Sequence, residues 1–160
     1  MSRDVILTRE GLEKLQAELE HLETEGRRQV ADRIKEARDF GDISENSEYD
    51  DAKNEQAQIE ARIIQLQDRV RSATVVDHDD VKTDVVQVGS TVNFTDEGTG
   101  KDQTFTIVGS AEASPSEGKL SNESPVGKAL LGGRKGTVVN VQLPKGAPRK
   151  LKINTIDVGI

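Results

Sequence analysis

The sequence predicts an α+β protein. A long antiparallel α-helical coiled-coil hairpin is expected over residues 1–76, a linker over 77–84, and a small antiparallel-sheet domain with one helix over 85–160. Three observations predict it. Apolar residues recur in steps of three and four through the first half. Two such rows match each other in reverse order. Beyond Val75 the period changes to the alternation of short strands.

The first row is Leu12, Leu15, Leu19 and Leu22, continuing less regularly through Val30, Ile34 and Ala37. Thr8 is placed to cap its start. The second row, Ala52, Gln56, Ile59, Ile63, Leu66, Val70 and Ala73, alternates steps of four and three, as a heptad seam does. In an antiparallel hairpin each step up one arm is a step down the other. Leu12 then faces Ala73, Leu15 faces Val70, Leu19 faces Leu66, Leu22 faces Ile63 and Gly26 faces Ile59. The same register puts the turn at 42–43, where Gly41-Asp42-Ile43-Ser44 has the residues expected after one helix and before the next. No proline lies between Met1 and Ser114 to break the arms. At ~1.5 Å per residue each arm is roughly 40 Å or longer.

The second half reads as strands over Val86–Phe94, Gln103–Val108, Thr137–Leu143 and Lys150–Val158. Asp96-Glu97-Gly98-Thr99-Gly100 reads as a hairpin turn. Ser124-Pro125 opens a short helix that ends before Gly132, with Ser as cap and Pro at its first position.

Composition narrows the function. The chain of 160 residues is 33% hydrophobic and 32% charged, with three Phe, one Tyr and no Trp, so a pocket walled by aromatics is not expected. With no Cys, disulfides, thiolate metal sites and Cys nucleophiles are excluded, and a reducing compartment is consistent. The N-terminus lacks the apolar run of a signal peptide, and no stretch approaches the ~20 apolar residues of a membrane span. A cytoplasmic protein with no membrane partner is expected. The net charge of −7 disfavours free nucleic acid as partner, because phosphate binding relies on Lys and Arg. Residues 1–74 carry 12 Lys/Arg against 18 Asp/Glu, and residues 75–160 carry 10 against 11.

The acids concentrate at the turn. Asp39, Asp42, Glu45, Glu48, Asp50 and Asp51 lie within 13 residues, with no base between Arg38 and Lys53. Two readings stand side by side. Acids in a first helical turn favour the macrodipole, and Asp42-x-x-Glu45 or Ser44 serves as a cap for the second helix. Alternatively, the mutual repulsion of clustered acids is relieved by a cation or a basic socket. The ligand spacing and central Gly of an EF-hand are absent. His21 and His78 form no metal spacing and read as solvated surface residues. Gly132-Gly133-Arg134-Lys135-Gly136 lacks the P-loop pattern, and Lys145, Arg149, Lys150 and Lys152 read as a solvated strand face. No small-molecule substrate and no stand-alone catalysis are expected.

Three segments carry a resemblance. Gly41-Asp42-Ile43-Ser44-Glu45-Asn46-Ser47-Glu48-Tyr49 resembles the Gly-Asp-Leu-x-Glu-Asn-Ala-Glu-Tyr run of the GreA/GreB transcript-cleavage family. Leu7-Thr8-x-x-Gly11-x-x-Lys14-Leu15-x-x-Glu18-Leu19 is similar to that family's opening, and Ser124-Pro125-Val126-Gly127-Lys128-Ala129-Leu130-Leu131-Gly132 to its C-terminal helix region. Departures are Ile43, Ser47, Gly136-Thr137 and the Pro148-Arg149 stretch. The modest basic flank resembles the GreA branch more closely.

The resemblance implies a transcription elongation factor that enters the secondary channel of bacterial RNA polymerase. There Asp42 and Glu45 help hold a Mg²⁺ shared with the polymerase, none being bound by the factor alone, and the polymerase cleaves the 3′ end of backtracked RNA. It further implies that Arg38 and Lys53 contact RNA. Glu123, Ser124 and Pro125 of an FKBP-like C-terminal domain would dock on a coiled coil at the channel rim. On this reading the chain is an auxiliary factor rather than an enzyme. An inhibitory paralogue in the same channel would depart from the Asp42/Glu45 pair, and a coiled-coil chaperone or scaffold would not need acids at the turn. A zinc-bearing channel regulator is excluded by the lack of Cys.

Overall fold

The computed structural model describes residues 5–41 and 45–160. It divides into two compact units. One is Leu12–Ser72; the other joins residues 5–11 to Ala73–Ile160.

The first unit is the helical hairpin. Its first arm is α1 (Arg9–His21), a π turn over Leu22–Gly26, and α2 (Arg27–Asp39); its second arm is α3 (Ser47–Arg71). The π turn accounts for the irregular continuation of the first apolar row. The Arg27 N–H reaches back five residues to the Leu22 carbonyl, which inserts one residue into the helix. The Thr24 hydroxyl donates to the Glu20 carbonyl at 2.8 Å, a contact common where helices bend. Without the insertion Ile34 would face the exposed Asp51. With it, Val30 and Ile34 pack in one cluster with Ala52, against Tyr49 and Ile59. Ile63 and Leu66 are buried further along α3. Ion pairs flank the seam: Arg62 donates to Glu18 at 2.9 Å and Arg27 to Glu60 at 2.9 Å, while Arg33 pairs with Glu55. Such exposed pairs contribute little, because solvent screens the charges and holding two long side chains together costs entropy. The seam, not the ion pairs, therefore dominates the stability of the hairpin.

The expected pairing fails at one end. Ala73 does not continue the helical row opposite Leu12. Helix α3 stops at Arg71, and Ala73–Val76 forms strand β2, which pairs in parallel with β1 (Val5–Thr8), Val5 against Ala73. Val75 and Val76 are β-branched and favour this extended state.

In the second unit a five-stranded sheet has the order β5-β4-β3-β7-β6, with β3 Ser90–Asp96, β4 Asp102–Val108, β5 Lys119–Ser121, β6 Val138–Val141 and β7 Arg149–Val158. It is not wholly antiparallel as expected: β5 pairs in parallel with β4 at the edge. Alternation puts Val92, Phe94, Ile107, Leu151 and Ile153 on one buried face, under the Leu130 side of α4 (Pro125–Leu130). The other face carries polar pairs, Thr91 with Thr106 and Asn93 with Thr104. A bulge between Asn93 and Phe94 resets the alternation of β7, so Ile153 and Ile156 are both buried; Asn154 at the bulge donates to Asn93 and Thr95. The β3–β4 turn is tied by Asp96, which accepts from the Gly98 N–H at 2.9 Å and from Arg149 at 2.7 Å. The Arg149 hydrogen bond holds the Asp96 carboxyl below the usual carboxylate range.

Residues 77–84, expected as a linker, belong to the second unit. Asp77 and Asp80 cap one turn reciprocally, Asp77 also accepts from Arg9 at 2.9 Å, and Val81 is buried. Thr8 caps α1 as expected: its Oγ1 accepts from the Gly11 N–H at 3.0 Å. Glu112 completes that cap, accepting from the Thr8 N–H at 2.8 Å and the Thr8 hydroxyl at 2.6 Å. A Cβ on Gly11 would lie 2.2 Å from Glu112 Oε1, so a larger residue there would push the Glu112 carboxylate out of the cap.

Adjacent isoleucines on α3 test the seam. Ile63 is 1% exposed and Ile64 is 58% exposed. Ile63→Ala is expected to cost about 2–5 kcal/mol of unfolding free energy in denaturant titrations. Ile64→Ala is expected to stay within about 0.5 kcal/mol of the parent.

Candidate functional site

The hairpin turn is closed by a residue that the motif reading passed over. Asn46, not Ser44 or an Asp42-x-x-Glu45 box, is the N-cap of α3. Its extended backbone turns the chain, and its Oδ1 accepts from the Tyr49 N–H at 3.1 Å. The same amide donates through Nδ2 to the Ala37 carbonyl in the last turn of α2, at 2.5 Å. One side chain thus satisfies a free N–H at the start of one helix and adds a second donor to the Ala37 carbonyl, which also accepts from the Phe40 N–H at 3.3 Å, at the end of the other. An amide carries its acceptor and its donor on separate atoms, so the one side chain can serve both helices at once. The sequence signal was present, since Asn is among the strongest N-cap residues, but the neighbouring Asp and Ser were equally good candidates.

Glu45, directly before Asn46, is exposed, and no partner for its carboxylate is found among the described residues. Asp42 lies outside the described residues, as does Ser44. Of the other tip acids, Glu48 is partly neutralised, lying 3.6 Å from Arg33, which also pairs with Glu55. The Glu55 hydrogen bond raises the Arg33 pKa, with Glu48 contributing less. Asp39, Asp50 and Asp51 are exposed. Arg38 stands exposed in the last turn of α2, without a partner among the described residues. Lys53, exposed on α3, donates to Gln56 at 3.1 Å. Among the described residues no group of three or more His, Asp or Glu comes together that could hold a metal ion.

The second set of expected residues lies at the start of α4. Ser124 is its N-cap: Oγ accepts from the Gly127 N–H at 3.0 Å and donates to the Ser121 carbonyl at 2.7 Å. Pro125 holds the first helical position, where its missing N–H costs nothing. Glu123 is exposed; its Oε2 accepts from the Ser110 hydroxyl at 2.9 Å. Glu123 and Pro125 line an open cleft of about 410 Å³ with Lys128 and Ala129 of α4 and with Asn140 and Gln142 at the β6 edge. Lys128 could have been found from its place one turn beyond Pro125. Asn140 and Gln142 could not, because only the fold brings β6 beside α4.

Both halves of the chain match known families. The N-terminal family of transcription elongation factors matches residues 5–75, and the GreA/GreB C-terminal family matches residues 81–158. The chain belongs to the GreA/GreB family of transcription elongation factors. Among curated relatives, transcription elongation factor GreA of Acetivibrio thermocellus is 57% identical over 145 residues, 91% of each chain. GreA of Thermoanaerobacter pseudethanolicus is 56% identical over 153 residues, 96% of this chain and 97% of that one. Among solved structures, GreA factor homolog 1 of Thermus thermophilus is 34% identical with a TM-score of 0.44, covering 97% of this chain and 99% of that one. No helix among the described residues of this GreA/GreB member is long and apolar enough to cross a membrane.

The Asn46 tie is tested by two substitutions. Asn46→Ala removes both bonds and is expected to cost about 1–2 kcal/mol of stability. Asn46→Asp keeps the cap but loses the donor to Ala37, and is expected to fall between parent and Ala in thermal melts followed by circular dichroism. Equal melts for all three proteins would show that the tie contributes nothing.

Proposed function

We propose that this chain binds bacterial RNA polymerase and carries Asp42 and Glu45 down its secondary channel, where they help the polymerase cleave backtracked RNA. The observation that carries the reading is the unassigned carboxylate of Glu45. A cap or a salt bridge would have explained an acid at this position, but Asn46 already performs the capping. Repulsion between the remaining tip acids destabilises the free hairpin. A partner that supplies positive charge removes that cost.

The donor set fits a hard divalent cation, since carboxylate oxygens are the ligands Mg²⁺ prefers and one or two of them usually suffice beside phosphates and water. Bound there in the complex, Mg²⁺ would supply neutralisation of the phosphate and activation of a water molecule. The chain's own part is to deliver two carboxylates on a narrow rod and hold them still. The Asn46 tie, one residue beyond Glu45, fixes the start of α3, and the packed seam stiffens both arms behind it. Arg38 and Lys53, one on each arm, offer positive charge to the RNA on either side of the acids. The protein is on this reading an auxiliary factor of the cytoplasm, and the polymerase remains the enzyme.

Docking is assigned to the second unit, an FKBP-like sheet and helix in this reading. Glu123, Ser124 and Pro125 would meet the coiled coil at the channel rim, with the cleft beside α4 receiving side chains of the partner helix. Ser124 shapes the loop rather than reaching outward, because both hydrogen-bonding directions of its hydroxyl are used internally. Glu123 and Pro125 are exposed and supply the contact.

Asp42→Asn tests the reading most sharply at the tip. It keeps size and capping ability and removes only the charge. Stimulated cleavage in stalled, backtracked complexes is expected to fall by about two orders of magnitude or more, as loss of several kcal/mol of charge stabilisation requires. Competition against labelled parent protein for polymerase is expected to be unchanged. A normal cleavage rate under limiting Mg²⁺ would remove Asp42 from the metal site.

A further inference from the structure

Phe40 is the residue of the tip that the proposed chemistry leaves unexplained. It ends α2, with its N–H bonded to the Ala37 carbonyl at 3.3 Å, and its side chain is 88% exposed. The other aromatics are all packed. Phe94 is buried and stacks with Phe105 at a centroid distance of 6.1 Å, and Tyr49 lies against the Val30–Ile34–Ala52 cluster. Phe40 is not taken into the hairpin seam, whose buried residues on α2 are Val30, Ile34 and Ala37. Leaving a Phe in water forgoes a large burial energy.

We propose that Phe40 is a substrate-binding residue that stacks on an unpaired base of the extruded 3′ segment of the RNA. The inference rests on the functional reading given above. Two features favour a nucleotide over a protein socket. First, a protein contact built on an aromatic surrounds it with further apolar side chains. Among the described residues of the tip, Phe40 is the one exposed large hydrophobic, and it follows the charged Arg38 and Asp39 in the chain. Second, single-stranded nucleic acid is held by an aromatic face for the base and a cation for the phosphate. Arg38, two residues away, has a guanidinium with no partner among the described residues. The pair supplies both contacts on the first arm of the hairpin, on the approach to the acids. Stacking is tolerant of base identity, as a factor acting on arbitrary transcripts requires. Phe40 would hold the RNA against the tip while the carboxylates act, which makes it a determinant of rate in the complex and not of docking.

The test uses the full-length protein on stalled, backtracked polymerase. Phe40→Ala and Phe40→Leu are compared with Phe40→Trp, which keeps an aromatic face; the side chain is exposed, so the fold does not depend on it, and a thermal melt checks this. Ala and Leu are expected to slow stimulated cleavage roughly tenfold at saturating factor. Trp is expected to stay near the parent rate, and all four proteins to compete equally for polymerase. RNAs with a single abasic nucleotide at successive extruded positions then locate the contact. At one position the parent is expected to drop to the Phe40→Ala rate, and Phe40→Ala to show no further loss. Parent-like cleavage by Phe40→Ala overturns the inference and leaves the functional reading intact. Weakened competition for polymerase, with the same abasic response in parent and variant, overturns it in favour of a protein contact. No stimulation by the parent overturns both.

Discussion

Asn46 joins the two arms of the hairpin where they come together. Its amide accepts from the first turn of α3 and donates to the last turn of α2. The tip depends on that pair of hydrogen bonds. It sets where α3 begins, and so fixes the register in which Ala52, Ile63 and Leu66 meet the first arm. It also performs the capping that the neighbouring acids would otherwise be assigned. The π turn at Leu22–Gly26 is the second half of the same constraint. One inserted residue converts a row that would have drifted onto Asp51 into one that packs on Ala52. A tie at one end and a register correction along the arm keep a thin two-helix element packed without a large core.

Charge is distributed by the same logic. Along the arms, acids and bases are matched across the seam, as with Glu18 and Arg62, Arg27 and Glu60, and Arg33 with Glu48 and Glu55. Toward the tip the matching stops. Glu45 and Arg38 are left without partners among the described residues, and Phe40 is left without cover. An acid, a cation and an aromatic face unused by the fold are the three kinds of group that a metal, a phosphate and a base would engage. In the second unit the spare chemistry is of another kind. Ser124 and Pro125 preset a helix start, and the cleft beside it is lined by one acid, one base and two amides. Those groups suit recognition of a protein surface rather than chemistry.

The hairpin was legible because apolar periodicity reports which faces are buried, and two matching rows report which faces meet. The α4 start was legible from Ser124-Pro125, whose cap and fixed backbone angle act locally. What the sequence hid was non-local. Strands β1 and β2 are four residues each, too short for their alternation to stand out, and they pair across 68 positions, Val5 to Ala73. The Thr8–Glu112 cap, the Asp96–Arg149 tie and the parallel β5 edge likewise depend on residues that only the fold brings together. The irregular step at Gly26 was visible, but its cause, a π turn, is a matter of hydrogen-bond register that periodicity alone does not report. At the tip the acids were legible as a cluster. Their division into a partnered Glu48 and a Glu45 without a partner among the described residues required the position of Arg33.

The central claim is that the tip carboxylates complete a metal site that the polymerase alone fills poorly. The most direct measurement is the Mg²⁺ dependence of RNA cleavage by a defined backtracked complex, taken without the factor, with the parent protein and with Glu45→Gln. The account predicts that the parent lowers the Mg²⁺ concentration for half-maximal cleavage, and that Glu45→Gln moves it back toward the value without factor while raised Mg²⁺ restores part of the rate. The same half-maximal concentration in all three conditions would contradict it.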